Sequence, residues 1–100
     1  MDISGKLKRI SAGTYKDDRG DVWRLVPVDR NYQCKNKPIY YLQKIENNRA
    51  QYISGVFRTK AENIFSADIK DELGVKKYYE IKSYESGAEL IISHSKGKIR

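Results

Sequence analysis

One hundred residues, 39% of them hydrophobic and 33% charged, read as a single small domain and exclude a large nucleotide-binding fold. Twenty Lys and Arg against thirteen Asp and Glu give a net charge of +7, with eleven bases against six acids in residues 1–50 and nine against seven in residues 51–100. A chain of this size buries only roughly 60–70% of its unfolded surface, so its core is thin. The basic excess favours polyanions or acidic protein surfaces as partners.

Residues 7–15 and 22–28 flank the polar run Lys16-Asp17-Asp18-Arg19-Gly20-Asp21, and this pattern predicts a hairpin over about 7–28. In its second arm Trp23 and Leu25 point one way while Val22, Val26 and Val28 point the other. Pro27, which has no N–H to donate, marks this strand as an edge or as its end. Residues 29–38 lack any period, carry Arg30, Lys35 and Lys37 around Tyr32 and Cys34, and read as a loop.

Two strand-like runs joined by Asn47-Asn48 predict a second hairpin over 39–57, because a two-residue turn needs positive φ and asparagine tolerates it best after glycine. Counting outward pairs Glu46 with Arg49, Ile45 with Ala50, Gln43 with Tyr52 and Tyr41 with Ser54. One face then carries Ile39, Tyr41, Ile45, Ala50, Tyr52 and Val56, and the other Tyr40, Leu42, Lys44, Arg49 and Ile53.

Beyond Phe57 the period changes. Thr59 and Glu62 are spaced as a capping box, Ala61, Ile64, Phe65, Ile69 and Leu73 recur at three and four residues, and Gly74 follows as a C-terminal cap, which predicts one amphipathic helix over 60–73. The competing reading is a strand over 63–69, since Ile64, Phe65 and Ile69 are poor helix formers. A final hairpin over 75–94 turns at Glu85-Ser86-Gly87, with Val75, Lys77, Tyr79 and Ile81 on one side. Residues 95–100 read as a frayed basic tail. The expected fold is α+β: a mostly antiparallel sheet of five or six strands with one helix.

The chemistry available is sparse. Cys34 is the sole cysteine, so an internal disulfide is excluded, and His94 has no histidine companion for a metal. No phosphate-cradling glycine loop occurs, which removes nucleotide hydrolysis. Arg19-Gly20-Asp21 and the internal Lys70-Asp71-Glu72-Leu73 match short targeting strings by chance. Without an apolar run suited to a signal peptide or a membrane span, the expected location is the cytoplasm, with no membrane partner and no cofactor. The high share of Lys, Ile, Asn and Tyr suits an AT-rich genome such as that of a phage or mobile element.

Eight tyrosines, one tryptophan and two phenylalanines exceed what so thin a core can hide, so aromatic rings beside bases are the main functional signal. The candidate binding residues are Tyr40, Lys44, Arg49, Arg58, Lys77, Tyr78 and Tyr79. They point to a non-catalytic accessory or inhibitor protein that docks on a larger acidic protein or nucleoprotein, with strand addition at an exposed sheet edge as a further docking mode. The alternative is a domain that binds single-stranded nucleic acid. A second alternative is a small metal-independent ribonuclease built on Arg24, Arg58, Tyr79 and His94.

Overall fold

A computed structural model describes residues 3–28 and 37–95. Most of the expected loop over 29–38, with Cys34, and all but Ser95 of the expected tail lie outside the described residues. Eight antiparallel strands, each paired with the next and the last with the first, form a closed barrel. They are β1 (Gly5–Ser11), β2 (Thr14–Asp17), β3 (Val22–Pro27), β4 (Tyr40–Glu46), β5 (Arg49–Arg58), β6 (Ile64–Lys70), β7 (Lys76–Tyr84) and β8 (Glu89–Ser95), with one 3-10 turn over Glu85–Gly87.

This architecture overturns the α+β expectation: the described residues contain eight strands rather than five or six, and no α-helix. One of the extra strands comes from the first hairpin, whose leading arm folds back at Ala12-Gly13. Gly13 has φ 71, its carbonyl accepts the Leu25 N–H at 2.8 Å, and a Cβ there would stand 3.0 Å from the Leu25 carbonyl oxygen. The predicted helix is instead β6. Phe65, Ala67 and Ile69 alternate into the barrel with period two, and the competing strand reading prevails. The helix-cap signals serve turns. The Thr59 hydroxyl accepts the Ala61 N–H and donates to the Ile64 carbonyl at 2.8 Å, Asn63 adopts φ 61, and Asp71 Oδ1 accepts the Leu73 and Val75 N–H groups ahead of Gly74 at φ 80.

The Asn47-Asn48 hairpin forms as expected, with φ 50 and 62 at its two turn residues. Its register follows the expected pairing from Glu46↔Arg49 to Gln43↔Tyr52, then shifts: an irregularity at Leu42/Gln43 pairs Leu42 with Ser54 and Tyr41 with Gly55. We expect Asn48→Ala, which places an ordinary side chain in the left-handed region, to cost about 1–2 kcal/mol in urea unfolding, while Asn48→Gly holds or raises stability. Closure rests on β1 and β8, which pair from Gly5↔Ile92 to Lys8↔Glu89 across most of the chain length.

An eight-stranded barrel has an interior just wide enough for side chains to fill. Here Leu7, Tyr15, Trp23, Leu42, Val56, Ala67, Ile69, Tyr79, Ile81, Leu90 and Ile92 fill it, with Ile3 fully buried just ahead of β1. Pro27 is the last residue of β3, beyond the point where β2 ends its pairing at Arg24, so its missing N–H breaks no ladder on that side.

Candidate binding face

Because side chains alternate across each strand, the buried set fixes what faces outward. Leu7, Tyr15 and Trp23 point in, so Lys6, Lys8, Lys16, Val22, Arg24 and Val26 point out on β1 to β3. Three cross-strand rows then run over one wall of the barrel. The first is Lys8, Lys16, Val22, Ile45 and Ala50; the second is Thr14, Arg24, Gln43 and Tyr52; the third is Val26, Tyr41 and Gly55. None of these positions is acidic. Lys8 stands directly opposite Lys16 on one side and Glu89 on the other.

The aromatic part of the wall is held by geometry. Tyr41 and Tyr52 pack edge to face, with ring centroids 5.7 Å apart and planes at 71°. Tyr52 is 61% exposed and Tyr41 39%. Beside them the chain crosses back closely: a Cβ on Gly55 would lie 2.8 Å from Pro38 Cβ, so only glycine fits there. Lys6 at the margin of the wall is bonded to Glu89 at 3.2 Å.

The opposite wall differs in kind. Asp68, Glu80, Lys82 and Glu89 mix both signs among Ser66, Ser93 and Tyr78, with Lys82 paired to Glu80 at 3.6 Å. The outward excess of base is therefore concentrated on β1 to β3. No helix among the described residues is long and apolar enough to cross a membrane.

The seven residues singled out from the sequence do not share this face. Tyr40, Lys44, Arg58, Lys77 and Tyr79 follow the inward phase of their strands, Tyr78 points outward on the opposite wall, and Arg49 sits at the exposed start of β5. Tyr79 is buried in the core and stands edge-on to His94 at 5.5 Å, while Tyr40 packs on Phe65 at 6.2 Å. Lys44 is held inside one end of the barrel. Its ammonium lies 5.6 Å from the centre of the Trp23 ring, 3.0 Å from Glu46 and 3.9 Å from Asp21. Arg24, Tyr41 and Tyr52, which lead the exposed wall, stood outside that set.

That same end holds a buried carboxylate. Asp17 Oδ2 accepts the Trp23 indole N–H at 3.0 Å and an Arg19 guanidinium N–H at 3.1 Å, and Oδ1 accepts the Arg19 and Asp21 backbone N–H groups at 2.9 Å each. Burial pushes its titration up, but the hydrogen bonds from Trp23, Arg19 and Asp21 together outweigh burial and hold the carboxyl below the usual range. At the other end, burial raises the Tyr15 hydroxyl above its ordinary range; Arg9 pulls it back and Tyr40 adds to the rise.

The four residues named for a ribonuclease do not converge. Arg24 is outside the barrel, Arg58 ends β5 at one mouth, and Tyr79 and His94 pair nearer the other. Among the described residues no group of three or more His, Cys, Asp or Glu gathers closely enough to hold a metal ion. No family model matches the chain, nor does any curated protein or solved structure.

Proposed function

We propose that this protein acts by binding, docking on an acidic surface of a larger protein or nucleoprotein through the outer wall of β1 to β5. The observation that carries this reading is the union, on three adjacent rows free of acids, of Lys8, Lys16 and Arg24 with Tyr41, Tyr52, Val22 and Ile45. Tyrosine and arginine are the residues that dominate interface energetics, and lysines at the margin steer the approach. The exposed, mutually braced Tyr41–Tyr52 pair supplies the anchor.

A second reading, binding of single-stranded nucleic acid, is favoured by Lys8 and Lys16, whose side chains a phosphate backbone meets, beside rings on which bases stack. Affinity capture from cells that make the protein separates the two, run at about 50 and about 200 mM salt with wild type, Tyr52→Ala and Arg24→Glu. Docking on protein predicts partners that survive the higher salt and nuclease treatment and fall at least about tenfold with either variant. Nuclease-sensitive capture that collapses with salt selects the nucleic-acid reading. Capture indifferent to both variants overturns the wall as the binding face.

A further inference from the structure

Barrel closure removes full-length sheet edges, yet one stretch of β5 escapes it. β5 and β6 pair only at Val56↔Ala67, Phe57↔Ser66 and Arg58↔Phe65. Continuing that register, residues 49–52 reach past the end of β6 at Lys70, so the start of β5 has β4 on one side and no strand on the other. All four residues from Arg49 to Tyr52 are exposed.

The turn fixes which backbone groups line this free side. In a two-residue hairpin the flanking pair, here Glu46 and Arg49, exchanges both backbone hydrogen bonds, so Arg49 and Gln51 turn their N–H and C=O toward β4. Ala50 and Tyr52 turn theirs away from it. A concavity at the tip of this hairpin is lined by Glu46, Asn47, Arg49, Ala50 and Gln51. Of the carboxylates on the strand ends and turns here, Glu46, Asp71, Asp17 and Asp21 answer Lys44, Lys77 and Arg19, and Asp18 and Glu72 are the other two acids. Arg49, Lys70 and Lys76 have no ion-pair partner among the described residues, and Lys70 stands directly opposite Lys76.

We infer that the overhanging edge of β5 takes an extended acidic segment of the partner as an added antiparallel strand, bonded to the backbone of Ala50 and Tyr52, with its carboxylates meeting Arg49, Lys70 and Lys76. This rests on the docking reading above and supplies its mode and partner chemistry. A second copy of this basic chain, by contrast, would bring like charges together.

The test uses a short labelled peptide of alternating glutamate and valine, titrated against the full chain. Wild type is expected to bind it saturably and to ignore the alternating lysine–valine peptide. Ala50→Pro removes an edge N–H without touching the β4–β5 ladder and is expected to lower affinity roughly tenfold or more. In wild type, amide hydrogen exchange at Ala50 and Tyr52 is expected to slow on adding peptide, a readout that stands even if Ala50→Pro fails to fold. No binding of the acidic peptide, equal binding of the lysine peptide, or unchanged exchange at both amides overturns the inference. Cellular capture distinguishes the two levels: partners kept by Ala50→Pro but lost by Arg24→Glu leave the wall standing and remove the edge.

Discussion

Trp23→Ala is expected to unfold most of the population. Trp23 is only 1% exposed at the centre of the β2–β3–β4 wall, and truncating a buried tryptophan costs about 3–5 kcal/mol. The same change deprives Asp17 Oδ2 of its indole donor and removes the ring over which the Lys44 ammonium lies. Against a total stability of roughly 5–15 kcal/mol, the combined loss brings a small barrel to its threshold. Trp23→Phe separates the contributions: it keeps most of the packing and loses the hydrogen bond, so its cost should be about 1–3 kcal/mol. Urea unfolding followed by far-ultraviolet circular dichroism checks both values. A midpoint for Trp23→Ala close to that of wild type would mean that the tryptophan is not the keystone described here.

Acid is expected to weaken the barrel through Asp17. Its folded-state carboxyl titrates below the unfolded value of about 3.9, so the ionised form is favoured by folding. The stabilisation is complete above the unfolded value and drains away as the pH falls through the folded one; it does not depend on pH between about 5 and 8. Asp17→Asn keeps the shape but gives up the charge that four donors address, and leaves at least one of them facing an amide N–H. The expected cost at neutral pH is about 1–3 kcal/mol, with a flatter dependence of stability on pH below 4. Urea midpoints collected from pH 7 downward test the sign; wild type and Asp17→Asn losing stability in parallel would assign the acid sensitivity elsewhere.

What could be read from the residues was local. The Asn47-Asn48 turn fixed the hairpin around it because both residues must adopt positive φ, and the pairing held from Glu46 down to Gln43. The phase slip above Gln43 arises from an extra residue that no alternation announces, and it carries Val56 into the core. The turn at 85–87 was legible for the same local reason. The helix was not, because Thr59, Glu62 and Gly74 are equally good turn formers, and only the inward alternation of Phe65, Ala67 and Ile69 decides for a strand. Closure of β1 on β8 is a contact between chain ends, invisible to any short window.

The proposed wall is not the face that the residue pattern suggests, through an inversion of phase. On the second hairpin the set Tyr41, Ile45 and Tyr52 is more apolar than the set Tyr40, Leu42 and Lys44, so hydrophobicity alone assigns the first to the core. The barrel does the reverse, burying Leu42 and drawing Lys44 onto Trp23 between two carboxylates. The wall could have been found from one signal already present: Arg24 shares a strand with the inward pair Trp23 and Leu25 and therefore points out, beside whatever pairs with it.

The central claim is that the wall of β1 to β5, and not the rest of the barrel, meets the partner. A photo-crosslinking residue placed at position 24 or 43 of that wall, or at position 82 or 93 opposite, tests this inside cells that make the protein. A discrete adduct from 24 and 43 and none from 82 and 93 is the expected result. Adducts of equal yield from both walls, or from 82 and 93 alone, would contradict it.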